Sequence, residues 1–562
     1  MQMTVLLTII STLLLPFVTI AQVPEVARSK AFTDSEYSSS RLLLMSNRNT
    51  LYFQFTYRKG ISVTVYDSLR NAAPVVNNDV RSWKNRDLSE ANLKGVFEMN
   101  GQAVVFLEMT VRREVNLYRF IFDGHTGGLL SEDLVESRKI PAVVLLPARN
   151  VIPRYYVRKD PASAFYAVAV YKDKKVAGDE LIRVTHYTPA HQIISRATYT
   201  ATGAPFSRVE FLDMYVEGGR FVTLASHLYK EGSFVRKGAA VMLSALRQEQ
   251  HDSFQHALLD STEDYWDAAA AMKYNQHTGQ MYLLTSVHGN SVREKAIMRQ
   301  HIFAYDYALQ MTVFDPVSLQ LRRQYFVDHP QLDAYVKHRL RYRNAYRGLI
   351  QDFYINDDNG VSLLFEEIYV DDKTSGPLTA IDSLTAITSL QKGYRTRLGQ
   401  IGIVRLDADG REVSSYAIAK SQHVNTKIGM YYQYRRPYMD VSLRDRKPYH
   451  YGDIAGFYSY EYLPAKGVVI YNDRAANVAN QEHDYRKIKD VYAMNETNTM
   501  LAVFDGEEVR RQYLFGEPAN QREARFSELG VSAFRDDDMQ YATVMVERKG
   551  RDHKAYIVWV QL

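Results

Sequence analysis

Gly348-Leu-Ile-Gln-Asp-Phe-Tyr-Ile355, Asn356-Asp-Asp-Asn-Gly360 and Val361-Ser-Leu-Leu-Phe-Glu-Glu-Ile-Tyr-Val370 read as strand, turn and strand. Between Gly348 and Gln422 four strand-like runs follow one another: Leu349 to Ile355, Val361 to Val370, Gln400 to Leu406 and Glu412 to Ala419. The first pair is joined by Asn356 to Gly360 and the last by Asp407-Ala-Asp-Gly410, residues that tolerate the positive φ of tight hairpins. That spacing makes one up-and-down sheet of four strands. Positions 361, 363 and 365 face one way and Leu364 the other, all of them apolar, so both sides of the sheet need cover. Sheets stacked radially supply it. The segment is therefore expected to form one blade of a β-propeller.

Similar units occupy the rest of the chain. A first is marked by Leu42 to Met45, Leu51 to Tyr57 and Ile61 to Tyr66, followed by a polar connection over 71–94. The second has strands at Gly95 to Met99, Ala103 to Val111, Leu117 to Phe122 and Leu129 to Val135, with Asn100-Gly101 as a type I′ signal. Further units span Tyr155 to Thr200, Val209 to Leu259, Trp266 to Val327 and Phe457 to Phe515, and the chain closes with Val531 to Phe534, Gln540 to Glu547 and Ala555 to Val560. The expected fold is all-β, a propeller of seven or eight four-stranded antiparallel blades. The count is eight if the two ends form separate blades and seven if they share one. Tandem β-sandwich domains are the alternative, because hairpin signals fit both. The sixth unit carries an insertion over 371–397, in which Ser375 to Gln391 is the one helical candidate, and a long connection from Gln422 to Asp453 follows it.

Of 562 residues, 46% are hydrophobic and 24% charged, enough for a large core and against global disorder. The 41 Tyr suit strands. A net charge of +5, spread along the chain, argues against nucleic acid as a partner. There is no Cys, which excludes disulfides, thiolate metal sites and a cysteine nucleophile. Val5 to Ile20 is almost wholly apolar and ends in Thr19-Ile20-Ala21, so residues 1–21 read as a secretory signal cleaved before Gln22. The run falls short of the roughly 20 residues of a spanning helix. The expected organisation is a signal at 1–21, a leader at 22–40 and one propeller domain at 41–562 closed by both termini. No transmembrane span is expected in the mature chain, which would be exported to the periplasm or beyond the cell.

Phe365-Glu-Glu-Ile-Tyr369, Ile401-Gly-Ile-Val-Arg-Leu-Asp-Ala-Asp-Gly410 and Gly467-Val-Val-Ile-Tyr-Asn-Asp473 resemble strand motifs of secreted bacterial β-propeller-like proteins of unknown function. Arg474 stands where that pattern has His. The resemblance implies the architecture and transfers no catalytic residue.

Tyr431 to Tyr451 is rich in Tyr and Arg, residues enriched at binding hot spots, and within it Arg435, Arg436, Tyr438 and Tyr449 are ligand-binding candidates. A companion stretch, Tyr335 to Tyr346, offers Arg339, Tyr342 and Arg343. Both precede the first strand of a unit and are expected on one rim, where rings stack sugars and guanidiniums grip carboxylates or sulfates. Glu366 and Glu367 face opposite ways and cannot act as a carboxylate pair; they read either as a strand reaching the solvent edge or, for Glu367, as a channel ligand. Asp473 and His483, with Arg474 nearby, are acid–base candidates. His186 and His191, like His251 and His256, lack metal-site spacing, and no phosphate loop, dinucleotide fingerprint or Gly-x-Ser-x-Gly elbow occurs. No metal or cofactor is expected. Three functions fit: a non-catalytic propeller binding a glycan or protein through Tyr/Arg-rich loops, a polysaccharide lyase or hydrolase with a channel site, or an envelope assembly component.

Overall fold

Alternation of buried side chains between two faces decides the architecture of the computed structural model. It describes residues 24–562 apart from 34–37, 57–59, 84–90, 141–153, 173–179, 201–205, 207, 230–238, 251, 260–267, 289–297, 301–302, 373–393, 425–427, 439–440, 443–459, 481–483, 506–507 and 521–522. The signal at 1–21, the helical candidate at 375–391, Tyr449 and His483 thus lie outside the described residues. In the second strand of the sixth sheet, Val361, Leu363 and Phe365 are buried against the fifth sheet, while Leu364 is buried with Tyr460 and Val469 of the seventh. The same division recurs in the second sheet, where Ala103, Val105 and Leu107 pack toward the first and Val104 and Phe106 toward the third.

Eight antiparallel sheets result. Blade 1 comprises Ser38–Leu44, Thr50–Thr56, Gly60–Tyr66 and Val76–Asn78, and blade 2 comprises Ala91–Met99, Gln102–Val111, Glu114–Asp123 and Leu129–Lys139. Blades 3 to 7 begin at Arg154–Lys159, Arg208–Glu217, Ala270–Asn275, Gly348–Ile355 and Tyr460–Leu463. The first strands of blades 1 to 6 touch one another in succession along the inner wall of the ring. Blade 8 takes Glu523–Ser527, Ala533–Arg535, Gln540–Lys549 and Asp552–Gln561 from one end of the chain. Its outer strand is Glu25–Arg28 from the other end, with Glu25 opposite Gln561 and Arg28 opposite Val558. The ends therefore share a blade, and the count is still eight, because Val76–Asn78 from the polar connection completes blade 1. The segment read as a leader supplies both Glu25–Arg28 and the start of Ser38–Leu44.

The turns follow their residues. Asn100 and Gly101 both have positive φ, at 52° and 75°, as a type I′ hairpin requires. Asn359 takes φ 61° and Gly410 φ 82° in the two hairpins of blade 6. The longest helix among the described residues has no counterpart in the sequence reading: Pro330–His338 starts on Pro and buries Leu332 and Val336, four apart on one face. No helix among the described residues is long and apolar enough to cross a membrane.

Because Leu364 is 1% exposed at a blade interface whereas Val413 is 49% exposed on an outer strand, the two should respond differently to truncation. Leu364→Ala should lower the unfolding free energy by about 2–5 kcal/mol, and Val413→Ala by less than about 0.5 kcal/mol, in urea titrations of the full chain.

Candidate functional site

The connection between blades 6 and 7 enters the axis of the ring. Tyr431, in a left-handed conformation (φ 57°), is fully buried; its amide donates to Ile350 O at 2.8 Å and its hydroxyl to Leu284 O at 2.7 Å. After it come the helical turns Tyr432–Arg435 and Arg436–Tyr438, and then Val441–Ser442 pairs with Leu93 and Asn92 on the innermost strand of blade 2. Tyr434 Oη donates to Asp213 Oδ2 at 2.5 Å in blade 4. Arg435 donates to Ala270 O at 3.5 Å in blade 5, and Arg436 to Glu461 Oε2 at 2.9 Å in blade 7. The described part of the Tyr/Arg-rich stretch expected on a rim, 431–438 with Val441–Ser442, is thus an axial plug. Arg435 and Arg436 are tied to the inner wall, and burial beside Arg436 pushes the guanidinium of Arg41 down to about 10.

Above the plug lies a cavity of about 470 Å³, within the usual range for small-ligand sites. Its walls are the ends of the innermost strands of blades 3 to 7, and Gln433, Tyr434, Arg436 and Pro437 come from the plug. Six tyrosines line it: Tyr215, Tyr274, Tyr354, Tyr434, Tyr460 and Tyr462. They include two ring pairs, Tyr215 with Tyr274 and Tyr354 with Tyr462, each with centroids 5.5 Å apart. Burial raises the phenols of Tyr215, Tyr354, Tyr460 and Tyr462 above the ordinary value, so these hydroxyls remain protonated donors.

Charge is arranged around these rings. Lys273 Nζ is 2.9 Å from Asp352 Oδ1 and 3.9 Å from the centroid of Tyr354. Arg158 pairs with Asp213 at 3.3 Å, and Arg436 with Glu461 at 2.9 Å. A bulge between Phe211 and Asp213, repeated between Ile350 and Asp352, turns each aspartate out of strand alternation.

The other candidates are distributed elsewhere. Glu366 and Glu367 do face opposite ways, but neither is at a solvent edge, since they are 1% and 0% exposed, and neither lines the cavity. Glu366 is ion-paired with fully buried Lys420, which also donates to Gln422 Oε1 at 3.0 Å. Glu367 Oε1 accepts from Tyr369 at 3.3 Å, whose hydroxyl lies 3.1 Å from that of Tyr342, so Tyr342 and Glu367 share one buried cluster. Burial raises the carboxyl of Glu367. A Cβ at Gly399 would come within 2.9 Å of Glu367 Oε2, so only glycine leaves that room. Arg339 and Arg343 are exposed beyond the helix Pro330–His338. Asp473 is fully buried; Oδ1 accepts from Arg474 N at 2.8 Å and Asn477 Nδ2 at 2.7 Å, whereas Oδ2 has no partner, and burial raises its carboxyl to about 6. The backbone of Tyr438 closes the second helical turn of the plug. His186 is bound to Gly218 O and His191 to Tyr166, and no group of three or more His, Asp or Glu suited to a metal occurs among the described residues.

Arg158, Lys159, Asp352, Lys273 and Glu461 escaped the sequence reading. Each is a charged residue within the first strand of its unit, a signal that superposing the units would have exposed.

No known protein family matches the chain, and no curated protein sequence matches it. Among solved structures it is similar to the polysaccharide lyase Uly1, at 10% identity over 84% of this chain and 90% of that one, with a TM-score of 0.35. A ulvan lyase of polysaccharide lyase family 25 is 8% identical over 52% and 70%, at 0.32. The hydrazine synthase of Kuenenia stuttgartiensis is 10% identical over 68% and 79%, at 0.29.

Asp473 makes stability depend on pH in an unusual direction. Its carboxyl binds a proton more tightly in the fold, at about 6, than at the ordinary value of 3.8, so its contribution is full below about pH 4 and is lost as pH rises to about 6. Asp473→Asn should remove that loss: the stability of the variant relative to the parent should rise by about 2–3 kcal/mol between pH 4 and pH 7 in urea titrations.

Proposed function

We propose that the protein is an exported sugar-binding propeller whose ligand sits in the axial cavity against the plug. The observation that carries this reading is the wall of six tyrosines interleaved with charged groups in one cavity. Tyrosine rings present flat apolar faces to the C–H faces of sugar rings while their hydroxyls donate to sugar oxygens. The two carboxylates of the lining, Asp352 and Glu461, are engaged by Lys273 and Arg436. With those carboxylates paired and the phenols held protonated, the lining favours retention of a ligand over proton transfer to or from it.

The Tyr/Arg-rich stretch keeps a role in this reading, as the floor of the site. Tyr354→Ala and Tyr462→Ala should each weaken binding of an array-identified oligosaccharide by about tenfold or more, while Tyr492→Ala, on the exposed surface, should leave it unchanged. Thermal melting checks that the variants are folded, and mass spectrometry should recover the sugar uncleaved; a cleaved product, or binding indifferent to both tyrosines, overturns the proposal. The export part is tested separately. Protein recovered from outside the cytoplasm of its host should begin at Gln22, and an N-terminus at Met1 would remove it.

A further inference from the structure

Among the described residues the charges of the cavity do not balance. Arg158, Lys159, Lys273 and Arg436 line it against two carboxylates, Asp352 and Glu461. Lys273 and Arg436 are matched by those two, and Arg158 by Asp213 behind the wall. Lys159 is left over. It ends the innermost strand of blade 3, half-buried, and its ammonium donates to the carbonyl of Asp160 at 2.8 Å. The carboxylate of Asp160 is held by its own loop and by the first hairpin of blade 4, accepting from Ala162 N at 3.0 Å, Gly218 N at 2.9 Å and Ser163 Oγ. Among the described residues no carboxylate lies within ion-pair distance of Lys159. Burial costs this ammonium part of its hydration and holds its amine below the ordinary lysine value, while Asp160 and Glu98 attract it only from beyond ion-pair distance.

We infer that the ligand of the axial cavity is an acidic sugar, and that Lys159 receives its anionic substituent, a carboxylate or a sulfate. This deepens the sugar-binding reading and rests on it. A single anion at Lys159 gives its ammonium the contact partner it lacks among the described residues, lowers the excess positive charge of the lining, and leaves the three built-in pairs undisturbed. The same excess charge draws acidic ligands toward the mouth of the cavity.

Calorimetric titration of the full chain with an oligogalacturonate trimer, a sulfated galactose trisaccharide and uncharged galactotriose tests the inference. At least one acidic trimer should bind about tenfold tighter than galactotriose, and which of the two does so identifies the substituent. Lys159→Met should cost that trimer about tenfold and leave galactotriose unchanged, Lys159→Arg should retain most of the preference, and about 0.5 M sodium chloride should weaken only the acidic ligand. Galactotriose binding as tightly as both acidic trimers, or an acidic trimer indifferent to Lys159→Met, overturns the inference while leaving the sugar-binding reading intact. If none of the three sugars binds, both fall.

Discussion

A sheet that is apolar on both faces must be covered twice, and every other feature of this chain follows from that requirement. The principal buried clusters correspond to the interfaces around the ring: blades 1 and 2, 2 and 3, 3 and 4, 4 and 5, 5 and 6, 6 and 7, 7 and 8, and finally 8 and 1. No blade keeps both faces dry until its neighbours are in place. The last interface has a lock of its own. Trp559 donates its indole N–H to Thr50 Oγ1 at 2.9 Å and meets the edge of Tyr66 at 5.3 Å, while Arg535 reaches Met45 O at 2.7 Å. In a chain without disulfides, these contacts and the pairing of Glu25–Arg28 with the final strand close the circle.

Polar groups bind the last blades together in a second way. Glu366 holds Lys420, Lys420 reaches Gln422, Gln422 donates to Asn472 O at 2.6 Å, and Asn472 donates to Ser527 O at 2.9 Å. This line crosses from blade 6 to blade 8 entirely in the interior. Ion pairs with no water around them add little net stability, because desolvation offsets their attraction, but removing one partner is costly. The line therefore acts mainly to fix which groups must meet.

Much of this was legible in the residues. Asn100-Gly101, Asn356 to Gly360 and Asp407 to Gly410 announce hairpins because positive φ is a local property. Apolar residues on both faces of Val361 to Phe365 announce stacking for the same reason, since side-chain alternation is set by the strand itself. Glu25–Arg28 was hidden because Glu-Val-Ala-Arg has no pattern and gains its strand only from a partner more than five hundred positions away. The composition of Tyr431 to Tyr438 was conspicuous, yet its position depends on acceptors at Leu284, Ile350 and Asp213 that no local rule connects to it. The cavity was invisible for a related reason: five blades and the plug each lend it a few residues, and Lys159 to Tyr462 become neighbours only after the ring has closed. The helix Pro330–His338 was within reach, through its initial proline and the spacing of Leu332 and Val336.

The axial plug also bears on the order of assembly. Its residues follow blades 1 to 6 in the chain and precede blades 7 and 8, yet they bond to inner strands of blades 2, 4, 5, 6 and 7. A chain that builds its blades from the N-terminus would present an open arc of six when the plug arrives, with its partners in blades 2, 4, 5 and 6 already in place. Blade 7 then adds Glu461 as the partner of Arg436, so the plug is bonded on both sides of the place where the ring closes.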